Sequence, residues 1–229
     1  MGKNHLKRLN APKTWPISRK GSKWITKQNP GPHKLNESMP LNIIIRDLLI
    51  YAKTTKEVKN ILSNKDILIN KRVIKEKKFP VGTFDIIEIP KTKENFLFLL
   101  NKKGKFFLQK IDDKKAEVKH LKIIGKKVLK KNKLQINLYN GNNFLTDKKE
   151  YNVGDTLLIN LKDKKILKHL KLEKNADVYI IDGKYVGLTG TVESLSSNKK
   201  NDTIDLKINN KNVKTLKKYI FVIDKALIK

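Results

Sequence analysis

Two tryptophans stand in a stretch crowded with cations: Trp15 and Trp24 lie among Lys13, Arg19, Lys20, Lys23 and Lys27. Indoles and ammonium groups interleaved in this way suit one chemistry, in which the rings stack on unpaired bases or pack on sugars while the lysines hold phosphates. The competing reading is that an indole tucks onto a neighbouring domain, and each reading can hold for a different tryptophan. The remaining reactive side chains point to no catalysis. Histidines occur only at 5, 33, 120 and 169, without pairing at ligand spacing. Cysteine is absent, which excludes disulfides and cysteine-ligated metal centres. There is no Gly-rich cofactor loop, no phosphate-loop motif and no grouping of histidine, acid and serine at suggestive spacing, and Asp112–Asp113 reads as a solvated turn. No catalytic residue, metal or cofactor is therefore expected.

Charge sets the class of partner. Lysine and arginine total 52 against 22 acids in 229 residues, a formal charge of +30. Self-repulsion on that scale disfavours a compact state, whereas closely spaced phosphates turn it into attraction and release counterions. A membrane surface is also anionic, but the sequence fits it poorly. The longest apolar run, Leu41 to Ala52, is too short to span a bilayer and is broken by Arg46 and Asp47. No basic amphipathic helix of useful length is present, and no apolar leader opens the chain, so neither membrane binding nor secretion is expected. Arginine is confined to positions 8, 19, 46 and 72, and its planar fork makes those four the candidates for geometrically demanding contacts.

These side chains need elements to position them. Residues 1–36 hold no acid, nine lysines or arginines, prolines at 12, 16, 30 and 32, and no apolar periodicity. Residues 1–40 thus read as an extended basic arm that does not fold by itself. Over residues 41–91, Leu41, Ile44, Ile45, Leu48, Leu49 and Ala52 predict a helix opened by Pro40. Thr54 and Glu57 form a possible capping box for a second helix with an apolar face of Val58, Ile61 and Leu62. A strand Asp66–Asn70, a turn around Asn70–Lys71 and a strand Phe84–Ile89 follow. Residues 92–173 predict strands at Asn95–Leu100, Lys105–Lys110, Leu134–Tyr139, Thr156–Leu161 and Lys165–Leu172, a central antiparallel β-barrel or sandwich. Lys114–Lys133 has room for a further strand pair. In residues 174–229, a strand turns at Asp182–Gly183, Gly187 and Gly190 bracket the next strand, and Thr203–Ile208 and Lys218–Ile223 complete a small barrel. The fold class expected is α+β and multidomain.

Several of these parts resemble known ones. The helix–helix–strand unit resembles the small RNA-binding module named after bacterial ribosomal protein S-four. The likeness is carried by Ile45-Arg46-Asp47, Thr54-Thr55-Lys56-Glu57-Val58, Ile67 through Val73, Val81-Gly82 and Asp85-Ile86-Ile87. It implies a basic RNA-facing surface on the second helix and the turn after it, with Arg46, Lys53, Thr54, Thr55, Lys56, Lys59, Asn70, Lys71 and Arg72 as candidates. A helix N-terminus also offers free amide donors to phosphate. Residues 177–193 resemble a KOW motif through Asp182-Gly183, Gly187 and Gly190, with Gly183, Lys184, Tyr185 and Gly187 as candidate contacts. The arm contributes Lys3, His5, Lys7, Arg8, Lys13, Trp15, Arg19, Lys20, Lys23, Trp24, Lys27, His33 and Lys34.

The order of parts narrows the reading further. His5 to Arg8, Ala11-Pro12-Lys13, Gly31-Pro32-His33-Lys34-Leu35, Glu94-Asn95-Phe96 and Tyr219 to Ile223 stand in an order that resembles the four-e protein family of the small ribosomal subunit. The resemblance covers the whole chain, and the end soon after Ile223 suits an archaeal-type member. It implies a non-enzymatic constituent of cytoplasmic ribosomes whose partners are small-subunit ribosomal RNA and neighbouring ribosomal proteins, with no homo-oligomer. A KOW-containing transcription elongation or ribosome-assembly factor is the competing expectation. An RNA-modifying enzyme would need a further domain of catalytic size.

Overall fold

Ile43, Ile44 and Ile45 are successive and all fully buried, so the first helix is enclosed on every side instead of resting on one stripe. In the computed structural model, which describes residues 4–130, 133–147, 150–197, 202–209 and 211–224, that helix is short. α1 (Leu41–Ile43) passes directly into a π-helical turn, Ile44–Leu48. The Leu49 N–H donates to Ile44 O at 2.9 Å and the Tyr51 N–H to Ile45 O at 3.1 Å. Periodicity predicts a helix through Ala52. A β-branched run of low helix propensity, buried all round, lets packing widen the turn instead. Ile50 then takes φ 58°, a conformation costly for a branched side chain.

The chain divides into two compact units, Met1–Glu117 and Val118–Lys229. The first begins with β1 (Leu6–Lys7), β2 (Trp24–Ile25) and β3 (Ser38–Pro40) ahead of α1. After α1 come α2 (Thr55–Ser63), β4 (Leu68–Ile69), β5 (Arg72–Val73), β6 (Pro80–Gly82), β7 (Ile86–Ile89), β8 (Glu94–Leu100) and β9 (Phe106–Ile111). β1 pairs with β2 and β3 with β6, while the others form an antiparallel sheet in the order β5-β4-β7-β8-β9. Asn70 and Lys71, at φ 51° and 63°, make the two-residue turn between β4 and β5. That pair of left-handed residues matches the twist of a hairpin.

β8 and β9 fall after the 91/92 boundary that the sequence suggests. They are hydrogen-bonded into the first unit's sheet, Ile87 opposite Phe96 and Phe98 opposite Leu108. β8 is buried along most of its length and Phe98 stacks on Phe106 at 4.6 Å, so the strand belongs to the core of this unit. The arm itself is packed, not merely extended. Trp15 is fully buried, the Phe106 N–H donates to Thr14 O at 2.9 Å, and the Asn29 N–H donates to Lys78 O at 3.0 Å. One buried indole removes enough apolar area from water to hold such a segment in place.

In the second unit, β10 (Val118–Val128), β11 (Leu134–Leu138), β12 (Asn143–Thr146), β13 (Thr156–Asn160) and β14 (Ile166–Leu170) form a sheet in the order β12-β11-β10-β13-β14. β10 pairs with β13 over Val118–Lys122 and with β11 from Ile123 to Val128, switching at a bulge between Ile123 and Gly125. The second sheet has the order β18-β17-β16-β15-β19, from β15 (Asp177–Ile180), β16 (Thr189–Ser197), β17 (Asp202–Ile208), β18 (Lys211–Leu216) and β19 (Ile220–Val222). Each sheet has its own apolar cluster, around Ile123, Ile136 and Leu157 in the first and Val178, Leu206 and Ile220 in the second. The two join where Tyr139 meets Phe221 edge-on at 5.1 Å and the Val222 N–H donates to Thr156 Oγ1 at 3.2 Å. The chain is thus mostly β with few helices.

Candidate nucleic-acid interface

The arm sorts its cations by geometry. Arg8 donates to Ser18 O at 2.9 Å, to Ser22 O at 3.2 Å and to the Ser22 hydroxyl at 3.2 Å. Arg19 reaches Ala11 O at 2.6 Å, Pro12 O at 2.8 Å and Leu9 O at 3.2 Å. Both forks thus brace the arm on its own carbonyls, with Arg8 and Arg19 half-buried. Trp15 and His33 are buried, which corrects the expectation that they face a nucleic acid. Trp15 Nε1 donates to Ser38 O at 2.8 Å. Outward are His5, Lys7, Lys13, Lys20, Lys23, Trp24 and Lys34, with Lys27 half-buried. Lys3 lies outside the described residues.

His33 has a structural task. Its Nε2 lies 2.9 Å from Asp85 Oδ2. The Asp85 carboxylate also accepts from the Gly82 N–H at 2.8 Å and from Asn70 Nδ2 at 2.8 Å. Asn70 in turn accepts from the Ile86 N–H at 3.1 Å. One buried acid therefore ties the end of the arm, the β4–β5 turn and the β6–β7 corner together. Gly82 is obligatory there, because a Cβ would stand 2.4 Å from the imidazole. Asn70 belongs to this network and shapes the turn that carries Arg72.

On α2 the cap has been taken. Thr54 and Glu57 bond reciprocally, and the Glu57 carboxylate accepts from the Lys53 N–H at 2.7 Å. That bond, followed by the one from the Thr54 hydroxyl, lowers the pKa of Glu57 below the usual carboxylate value. A carboxylate thus lies at the positive end of the helix, and the Thr54 hydroxyl is engaged by the Glu57 N–H and carboxylate, which makes the helix start less attractive to a phosphate. Thr55 is half-buried beside it. Arg46 holds Asp47 through two bonds of 2.7 and 3.1 Å, which raise its pKa. Lys71 pairs with Glu88 at 2.7 Å. Lys53, Lys56, Lys59 and Arg72 remain exposed, with Lys56 on the side of α2 away from the buried Val58 and Leu62 and Lys59 flanking that apolar face.

The second unit offers another basic surface. Gly183 and Gly187 take φ 91° and 75°, and a Cβ on Gly190 would stand 2.8 Å from Lys207 O. The glycine pattern thus meets a real need for left-handed backbone and close approach. Gly183 and Lys184 are exposed, Tyr185 and Gly187 half-buried. Lys184 Nζ sits 5.6 Å over the Tyr185 ring, and Lys218 Nζ 5.0 Å over Tyr219. Sequence reasoning missed the second pair as a site. Its signal was the repeated Lys–Tyr dipeptide. Below it Lys122 is buried, donating to Ile220 O at 2.6 Å, Lys217 O at 2.8 Å and Lys218 O at 3.1 Å. Burial, reinforced by the charge of Lys217, pushes its pKa down to about 7. Nothing in the alternation of β10 marks that lysine.

Among the described residues no group of three or more histidine, aspartate or glutamate side chains could hold a metal ion, and no helix is long and apolar enough to cross a membrane. Comparison with known proteins converges. Ribosomal family S4e matches residues 92–166 and the RS4NT (NUC023) domain matches residues 1–36. The chain is 38% identical over 230 residues to small ribosomal subunit protein eS4 of Methanosphaera stadtmanae, spanning 99% of this chain and 95% of that one. It is 36% identical to the protein of that name from Archaeoglobus fulgidus, spanning 96% and 93%. The crystal structure of the 30S ribosomal protein S4e from Thermoplasma acidophilum matches with a TM-score of 0.73 at 30% identity, over 82% of this chain and 95% of that chain.

Proposed function

This chain belongs to ribosomal family S4e, and from that premise we propose that it takes its place in the small ribosomal subunit by clamping ribosomal RNA between basic surfaces of defined shape. It is a structural constituent of the subunit and not an enzyme. Ribosomes of the cytoplasm are its setting, and ribosomal RNA and neighbouring ribosomal proteins its partners.

One observation supports the clamp above the others. In residues 1–36, without a single acid, Arg8 and Arg19 brace the backbone, so the lysines project from a fixed frame. A braced surface loses less conformational freedom on binding than a floppy one. Lys7, Lys13, Lys20, Lys23 and Lys34 on the arm supply the charge, each neutralised phosphate adding affinity that salt weakens. Placement comes from shape, because the base edges of an A-form major groove are out of reach. The S-four-like region offers Lys53, Lys56, Lys59 and Arg72, and the KOW-like region offers Lys184 and Tyr185.

Fractionation of native lysate on a density gradient tests the reading. The chain should travel stoichiometrically with small subunits and stay there through a moderate salt wash. A purely soluble pool would overturn it and favour an elongation or assembly factor.

A further inference from the structure

Of the two tryptophans in the chain, one is core and the other faces water. Trp15 is fully buried, whereas Trp24 is 51% exposed. Register explains the difference. Lys7 is paired opposite Trp24 and Leu6 opposite Ile25. Directly opposed side chains share a face of an antiparallel pair, and Ile25 is buried. The Leu6–Ile25 face therefore turns inward and the Lys7–Trp24 face outward. An indole left half in water on a two-residue strand pair is a costly use of the largest apolar side chain unless something covers it.

Its surroundings say what kind of cover. Lys23 Nζ lies 5.3 Å from the indole centroid, and the His5 ring is tilted against it at 5.5 Å. The Arg8 N–H donates to Lys23 O at 3.0 Å, and the Arg8 guanidinium ties down Ser18 and Ser22, so the loop that presents Lys23 and Trp24 is fixed in advance. An apolar groove on a protein partner would not call for Lys23 beside the indole and Lys7 opposite it in an acid-free segment. A flat π surface bordered by cations suits a nucleotide, the ring for its base and the lysines for its phosphates.

We propose that Trp24, flanked by His5, Lys7 and Lys23, is a stacking subsite for one unpaired RNA base. This rests on the RNA-clamping reading and adds to it a ligand class: a loop, bulge or single strand, since the faces of paired bases are already covered by their neighbours. Shape recognition elsewhere in the chain is then supplemented here by a contact that only an unstacked nucleotide satisfies.

The full chain can be tested with two probes at one moderate salt concentration, a single-stranded RNA ten-mer and a blunt RNA duplex with the same number of phosphates. The single strand should quench tryptophan emission through Trp24, and the quench should vanish in Trp24→Phe, where only buried Trp15 emits. Trp24→Ala should bind the single strand about five- to a hundredfold more weakly while binding the duplex as the wild type does, and Trp24→Phe should recover most of that loss. Equal affinities of wild type and Trp24→Ala for the single strand would overturn the subsite and leave the clamp standing. Equal losses on both probes would do the same, pointing to a general or protein-covering role. Failure of both probes to bind at all would remove the clamp and the subsite together.

Discussion

Replacing Gly82 by alanine should unlock the whole Asp85 network, for a reason that can be measured in a double-mutant cycle. Gly82 sits in β6 with φ outside the left-handed region, so alanine is acceptable to the backbone itself. The obstacle is His33, whose Cγ and Nδ1 would lie 2.4 Å and whose Cδ2 2.6 Å from the new Cβ. The ring must leave, and Asp85, whose side chain is 1% exposed, then keeps Gly82 and Asn70 but loses its imidazole. Stranding a buried carboxylate in this way costs about 3 kcal/mol. Alanine in a strand recovers about 0.5 kcal/mol of that through lower unfolded-state freedom. Gly82→Ala should thus destabilise the first unit by about 2.5 kcal/mol. His33→Ala should cost about 3 kcal/mol through the same lost partner. Once the ring is gone the new methyl loses its three closest contacts, so the double variant should be about 0.5 kcal/mol more stable than His33→Ala alone, a coupling of about 3 kcal/mol. Urea unfolding followed by tryptophan emission reads this unit directly, because both indoles belong to it. Additive losses would refute the reasoning, since they would mean that the methyl clashes with something other than His33.

The other expectations concern a buried charge and a strained residue. With the folded pKa of Lys122 near 7 and an unfolded value near 10.4, the folded state binds fewer protons between those limits. The linkage sign is therefore positive, and the stability of the second unit should rise as pH climbs from about 7 to about 10. Urea melts followed by circular dichroism should show that slope in the wild type and a clearly flatter one in Lys122→Met; an identical slope would assign it to other groups. Ile50→Gly should stabilise the first unit by about 0.5–1 kcal/mol, because a left-handed branched residue is strained by about 1–2 kcal/mol and glycine gives part of that back as chain entropy. Ile50 is 75% exposed, so little packing is lost, and a fall in melting temperature would contradict the strain argument.

Local signals were legible in the sequence wherever one short segment decides its own geometry. The Thr54–Glu57 capping box, the Asn70–Lys71 turn and the glycines at 183, 187 and 190 stand as their residue types dictate, because caps, hairpin turns and left-handed backbone are settled within a few residues. The charge excess and the order of motifs were likewise enough to point to a ribosomal family. The short strands β1, β2, β3 and β6 and the polar β12 and β18 escape a sequence reading, and β10 is one long strand where Lys114–Lys133 reads as room for a strand pair, since short, polar or lysine-rich segments blur the alternation on which strand reading depends.

What only the tertiary structure decided is which of several identical side chains does which task. Sequence gives Trp15 and Trp24 the same basic surroundings, yet packing buries one and register exposes the other. Arg8 and Arg19 look like phosphate forks until the carbonyls they hold are seen. His33 looks like a surface contact until Asp85, 52 positions later in the chain, closes on it. Each assignment depends on a partner distant in sequence, and no local pattern encodes where the folded chain brings such partners together.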